Sequence, residues 1–399
     1  MRRDDYKIFS PGRIGKLTLS NRLVRSATWD PCILGPRQMS DEVLEVYRNV
    51  ARGGVGMIIT GDLPSMSAAM VAGEAPYAYE DVRIAGLSRL VETVHDAAPD
   101  CKLIAQLSRG EPGPLPSRFP SPFWEEGPRP LTLVEIQTLI GCLAETIYWL
   151  REEGFDGVQL HAAHGTLLSF FLSPYTNRRD DAYGGSVQNR ARVVREIVAR
   201  AREKVGDFPI MIKMNGTDYL EGGIDLATFP ALAREVADAG VDAIEVSGGM
   251  WECLARPEEE LGFRPVPAPE SHTRLHKPEA QSYFLPYAER LDLDIPLILV
   301  GGNRDVERLE VILQGGRVDF ISLCRPLISE PDLPRRWREG RGGSGTECIS
   351  CNACLYDMYE HPGRETPDVV TCVFKADKAK YKDSQRWLAN WVEENVVVG

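Results

Sequence analysis

Residues 157–192 read GVQLHAAHGTLLSFFLSPYTNRRDDAYGGSVQNRAR. Gly157 to Leu160 is a short apolar strand, and His161 and His164 fall where it ends, the place where parallel α/β folds keep their chemistry. Two imidazoles there can donate hydrogen bonds to one substrate oxygen. A His-x-x-His pair also occurs as metal ligands or as ordinary hydrogen-bonded histidines, so the continuation of the stretch matters.

Working outward, the same unit recurs along the chain: an amphipathic helix, a glycine near its carboxyl end, then a short apolar strand ending in small or polar residues. Strands are expected at 23–28, 56–61, 102–108, 157–163, 209–215, 243–249, 296–302 and 319–324. Ser40 caps a helix through about Ala51, Thr132 and Glu135 form a capping box, and Ser186 caps the helix containing Val193, Val194 and Ile197. Eight near-continuous apolar strands alternating with helices imply a closed (β/α)8 TIM barrel, preceded by a hairpin-like opening at residues 11–22. No GxGxxG follows the first strand, which removes the usual reason to prefer an open doubly wound sheet.

The barrel is expected to occupy residues 1–340, with a cysteine-containing extension over 341–399. Two insertions interrupt the rhythm, the Pro-rich segment 109–130 and the segment 250–285 with Trp251, His272, His276 and Tyr283. Either one builds the substrate site or is a surface excursion. A composition of 43% hydrophobic and 26% charged residues fits a soluble protein, and the net charge of -12 disfavours nucleic acid and anionic membranes as partners. The amino terminus lacks the apolar core of a secretory signal, and no apolar run approaches a membrane span, so a cytoplasmic location is expected.

The run LLSFFLSP followed by N-x-R-x-D-x-YGGS-x-x-NR-x-R, over more than thirty residues, resembles the signature of the Old Yellow Enzyme family of FMN-dependent ene-reductases and NADH:flavin oxidoreductases. The opening PxxIGxLxLxNR resembles the start of those barrels, and the likeness extends over nearly all of residues 5–335. It implies FMN as cofactor, NADH or NADPH as reductant and a small activated alkene as substrate. Hydride would pass to the flavin and then to the β-carbon of the alkene, while His161 and His164 hold the carbonyl oxygen.

Further roles follow from the resemblance. Gln106 matches the residue that reads the flavin's pyrimidine edge, and Lys213 the basic residue beside the reduced ring. Gly301, Gly302, Cys324 and Arg325 match the phosphate site, and Ala27, Thr28, Trp29 and Gly61 pack near the ring. A lysine in an apolar strand also demands a buried anionic partner on its own account. The segment 177–186 reads mainly as structural. At the place of the family's proton-donating tyrosine stands Thr166, whose hydroxyl is far too weak an acid for the task. A donor from another loop (Tyr219, His272, His276 or Tyr283), water, or a dehydrogenation needing no such proton are the alternatives. Dehydrogenation or demethylation of a small substrate is the competing enzymatic reading, and a non-catalytic flavin or metal redox sensor the competitor from another class.

Four of nine cysteines, Cys348, Cys351, Cys354 and Cys372, lie in the extension. Successive CxxC spacing suits zinc or an iron-sulfur cluster. The segment resembles the cluster segment of 2,4-dienoyl-CoA reductase and trimethylamine dehydrogenase, with a longer gap of seventeen residues before the fourth cysteine. The last stretch, with Trp387, Leu388, Trp391 and Val392 on one face, is expected to dock on the barrel or on a second copy of the chain in a homo-oligomer.

Overall fold

A computed structural model describes residues 2–28, 39–65, 70, 84–108, 113–356 and 369–396. The chain opens with an antiparallel hairpin, β1 (Gly12–Ile14) and β2 (Leu17–Leu19). Eight parallel strands follow: β3 (Leu23–Arg25), β4 (Met57–Pro64), β5 (Lys102–Ser108), β6 (Gly157–Ala162), β7 (Ile210–Asn215), β8 (Ala243–Ser247), β9 (Leu297–Leu299) and β10 (Phe320–Leu323). They close into a barrel in sequence order, with β10 paired to β3. All eight expected strands are present, and the architecture is the (β/α)8 barrel.

Alternation along each strand divides the interior from the helix-facing side. Outward positions such as Leu103, Ala105, Val158, Leu160, Ile210, Ile212, Ile244 and Val246 join one large core with the helices. Inward positions at the amino-terminal ends, Val24, Met57, Ile59, Ile104, Met211, Ala243, Ile298 and Phe320, form a separate apolar layer. Ile14 and Leu19 of the hairpin belong to that layer too, so the hairpin plugs the bottom of the barrel. Its approach requires glycine at position 12, since a Cβ there would lie 2.6 Å from the Phe320 ring. Two residues further along most of the strands the inward side chains become polar, as at Ser26, Gln106, Lys213, Glu245 and Ser322.

Helix starts follow the expected chemistry. Ser40 accepts from the Val43 amide at the start of Asp41–Arg52, Ser186 from the Asn189 amide at the start of Val187–Val205, and Thr132 and Glu135 make the reciprocal capping box of Leu133–Glu152. That last helix corrects one expectation, because by length and composition it is apolar enough to cross a membrane. Its apolar residues Ile136, Leu139, Ile140, Leu143 and Ile147 are instead buried in the outer core. The segment around 177–186 is held as a knot: Arg179 donates to Asp181 and to the carbonyls of Pro116 and Leu131, and Asn177 donates to those of Phe171 and Tyr183.

Asp156 ties the start of β5 to the outer helices. It accepts from the Leu103 amide at 2.8 Å, lies 2.8 Å from His95 Nε2 and pairs with Lys102. Burial alone would push its carboxyl up, but these partners outweigh that and hold it below the usual carboxylate range. Its stabilising contribution is therefore full above the unfolded carboxylate value and is lost as pH falls through the depressed folded value. Asp156→Ala should cost about 2 kcal/mol in urea unfolding at pH 7. The difference from the parent should shrink in strongly acidic buffer.

Candidate active site

A cavity of about 530 Å³ opens at the carboxyl ends of the strands, a volume suited to a cofactor and a small substrate. Ala27, Thr28, Gly61, Gln106, His161, His164, Thr166, Lys213, Gly301, Gly302, Cys324 and Arg325 all line it. Among the expected site residues outside the tail, only Trp29 cannot be placed, because it lies outside the described residues.

The floor is a polar layer directly above the apolar one. Lys213 Nζ donates to Ser26 Oγ at 3.0 Å and stands 3.6 Å from Glu245 Oε1, while Ser26 Oγ donates to the same carboxylate oxygen at 3.0 Å. Gln159 Nε2 donates to Glu245 Oε2 at 2.8 Å, and Gln106 Nε2 donates to Gln159 Oε1 at 2.7 Å. The anion demanded by a buried lysine is thus supplied from within the chain by Glu245. A carboxylate only accepts, so it turns the Gln159 amide group toward itself, which turns the Gln159 carbonyl toward Gln106. Gln106 is left with its carbonyl and one N–H for the cavity, one acceptor beside one donor.

At the strand ends Gly301 and Gly302 have φ of 96° and 72°, conformations that side chains resist. A Cβ on Gly301 would lie 2.5 Å from the Phe284 ring, and one on Gly302 would lie 2.8 Å from that of Tyr283. Arg325 donates to the His272 carbonyl at 2.9 Å and to Asn352, so the 250–285 insertion and the tail are both clamped to it. The Ser322 hydroxyl, buried on the cavity wall, has no hydrogen-bond partner among the described residues. Open glycine backbone, an arginine, a lysine, an oriented glutamine and a spare buried hydroxyl fit the phosphate, ring edge and reducible ring of FMN.

His161 and His164 stand at the end of β6 and its following turn. His164 has φ of 60°, its amide donates to Asn215 Oδ1 at 3.2 Å, and its Nε2 lies 2.7 Å from Ser247 Oγ. His161 Nε2 lies 3.2 Å from His164 Nδ1, so the two rings bond to each other. Burial, then the charges of His161 and Lys213, holds His164 well below the ordinary imidazole range, which keeps it neutral. The Thr166 hydroxyl donates to the carbonyls of His161 and Ala163, at 2.7 and 3.0 Å. Its proton is committed to the backbone.

Among the alternative donors, Tyr283 alone lines the cavity, and its hydroxyl donates to the Glu270 carbonyl at 2.7 Å. Burial pushes that hydroxyl up to about 12. His272 is stacked between Phe263 and Tyr283, and burial, with Arg325 nearby, pulls it down to about 3. Tyr219 packs against Phe263 and His276 is exposed, both away from the cavity lining. The 250–285 insertion does build the site, through Trp251, Glu270, Tyr283 and Phe284. No described residue of 109–130 lines it; there Phe119 packs on Trp124 and Phe170.

Asp62, Gln159, Glu245, Ser247 and Glu270 also belong to the site or its floor and were not singled out from sequence. Gln159 and Glu245 carried a signal: each is a polar residue at an inward position of an apolar strand, as Lys213 is. Asp62 follows Gly61 at a strand end, and Glu270 lies in an irregular insertion without a local signal.

Cys348, Cys351, Cys354 and Cys372 surround one small cavity that shares Arg325, Ile328 and Cys354 with the large one. Arg304 donates to Ser350 Oγ and to the Cys348 carbonyl, fastening this tail to the end of β9. Among the described residues no group of three or more His, Cys, Asp or Glu side chains converges on a single ion position.

Residues 7–343 match the model of the NADH:flavin oxidoreductase / NADH oxidase family. The chain belongs to that family. It is 33% identical to a metal reductase of Desulforamulus reducens over 94% of this chain and 54% of that one. It is 29% identical to a cinnamate reductase of Clostridium sporogenes over 88% of this chain and 55% of that one. A solved 2-naphthoyl-CoA reductase complex superposes with a TM-score of 0.72 at 24% identity, covering 87% of this chain and 54% of that one, and supports the fold. The chain spans about half the length of these relatives.

Two changes test the floor and the rim. Glu245→Ala leaves the Lys213 ammonium buried without its carboxylate and should cost about 3–5 kcal/mol in urea unfolding of the cofactor-free protein. Gly301→Ala should weaken FMN retention at least ~10-fold, because φ and the Phe284 contact both oppose a side chain; fluorescence titration of the released flavin measures it.

Proposed function

We propose that this chain is an FMN-dependent oxidoreductase that uses NADH or NADPH to reduce a small alkene conjugated to a carbonyl group. The observation that carries the reading is the juxtaposition, in one cavity, of the His161–His164 pair with Gln106 and Lys213. FMN, when bound, supplies the site at which hydride is accepted from the nicotinamide and passed to the substrate. The chain's own residues do the rest. Lys213 places positive charge beside the ring, Gln106 offers its oriented amide to the ring edge, and Gly301, Gly302 and Arg325 offer amides and a guanidinium to the phosphate. Exchanging their mutual hydrogen bond for the substrate's carbonyl oxygen, His161 and His164 stabilise the negative charge that develops there. The name of the cinnamate reductase relative, whose substrate is a conjugated alkene, supports the same class.

We propose further that residues 341–399 form an extension on the barrel and that its four cysteines hold an iron-sulfur cluster. What supports the reading is that four cysteines, three of them at successive CxxC spacing, surround one cavity beside the large one. Burial pushes the Cys351 and Cys354 thiols up, so loading must release protons.

Protein reconstituted with FMN under anaerobic conditions should lose its flavin absorbance on addition of NADH or NADPH and regain it with cinnamaldehyde or 2-cyclohexenone. His161→Ala and His164→Ala should each slow the alkene-dependent recovery about 10²–10³-fold. Bleaching with no recovery by any conjugated alkene would favour the dehydrogenase reading, and failure to bind FMN would overturn the cofactor. Iron and acid-labile sulfide analysis of anaerobic protein should find both, and Cys354→Ser should lose them.

A further inference from the structure

Arg304 and Arg325 line the large cavity, yet both also reach into the cysteine tail. Arg304 Nη1 donates to Ser350 Oγ at 2.9 Å, and its Nη2 donates to the Cys348 carbonyl. Arg325 commits both hydrogens of Nη1, one to the His272 carbonyl at 2.9 Å and one to Asn352 Oδ1. Its Nε and Nη2 have no hydrogen-bond partner among the described residues. Those two nitrogens form the fork that grips a phosphate with parallel N–H bonds.

Asn352 lies between Cys351 and Cys354 and is 1% exposed. A guanidinium only donates, so it turns the Asn352 carbonyl toward itself, and the amide group is left to donate to the Ser271 carbonyl at 2.7 Å. One side chain thus holds Arg325 and the segment of the insertion that follows Glu270, another cavity residue. Ser350 and Asn352, on either side of Cys351, have φ of 55° and 59°. Such left-handed backbone persists at non-glycine residues only where surrounding contacts hold it. All four tail cysteines line the small cavity, which shares Arg325, Ile328 and Cys354 with the large one.

We propose that Asn352 is a positioning residue for the FMN phosphate site, and that through it FMN binds more tightly when the cysteine tail is loaded than when it is empty. Tying the sulfurs of Cys351 and Cys354 together fixes the loop on both sides of Asn352. With the loop fixed, Nη1 of Arg325 is held and the Nε–Nη2 fork stays turned to the cavity. With the sulfurs released, the left-handed loop relaxes, the amide leaves Nη1, and the guanidinium is free to rotate away from the phosphate. A coupling of this kind is reciprocal, so FMN retains the tail's iron by the same factor.

The inference rests on the readings that the barrel holds FMN and the tail holds iron, so its test separates them, and it needs no turnover. Anaerobic protein freed of flavin is titrated with FMN by fluorescence, before and after its iron is removed with a ferrous chelator. Removal should weaken FMN binding about 10-fold in the parent, and FMN should slow iron loss to the chelator to a matching extent. Asn352→Gly keeps the left-handed backbone available and deletes only the side chain. It should bind FMN about 10-fold more weakly than the loaded parent, with little further loss on iron removal. A merely structural role would weaken binding but leave the ratio between loaded and stripped protein intact.

Equal FMN affinity of loaded and stripped parent would overturn the inference, as would tighter binding by the stripped protein. These two arms use no variant, so they stand even where Asn352→Gly fails to fold. An Asn352→Gly variant that keeps the parent's full ratio would overturn it too. A parent isolated without iron would overturn the cluster reading instead, and FMN affinity unchanged in Asn352→Gly would then overturn the positioning role of Asn352. A parent that binds no FMN would overturn the cofactor reading.

Discussion

The Lys213–Glu245 ion pair sits inside the barrel, with the lysine side chain 5% and the glutamate side chain 0% exposed. Removing two charges from water is costly, and the cost is offset only when the remaining donors and acceptors are satisfied. Ser26 just past β3, Gln159 on β6 and Gln106 on β5 do this, so four strands and the end of a fifth contribute to one network. It divides the barrel into a dry lower layer, plugged by the hairpin, and an upper layer of chemistry. Because the carboxylate can only accept, it also dictates the orientation of two amides in turn. The ligand-facing edge of Gln106 is therefore set by a residue that does not line the cavity.

Above that floor the site is assembled from pieces distant in sequence. The insertion after β8, the start of the loop after β10 and the cysteine tail meet at Arg325, whose guanidinium contacts the His272 carbonyl and Asn352. Asn352 in turn donates to the Ser271 carbonyl at 2.7 Å. This arrangement couples the candidate phosphate site to the tail: loss of the tail would free an arginine that is now held on two sides. It also places the small cysteine-lined cavity directly beside the large one.

Much of the fold is legible in the sequence because its signals are local. Ser40, Ser186 and the Thr132–Glu135 box mark helix starts through hydrogen bonds spanning three residues, and the apolar strands alternate with them in an order a closed parallel barrel satisfies. The His161–His164 pair, Gln106, Lys213 and the Gly301–Gly302 turn were legible for a related reason: each is a polar or backbone-permissive residue at a strand end or in an apolar strand. The helix Leu133–Glu152 shows the reverse, since its composition fits a bilayer and only its packing accounts for it.

The sequence by itself determined the barrel, the family resemblance, the set of residues at the strand ends and the absence of a tyrosine at Thr166. Tertiary structure alone decided the partners. That Lys213 is answered by Glu245 and that His161 meets Asp62 while His164 meets Ser247 are long-range facts. They depend on barrel closure, which brings β3, β4, β6, β7 and β8 to within a side chain's reach across the axis. No local pattern encodes a distance between strands separated by tens or hundreds of residues.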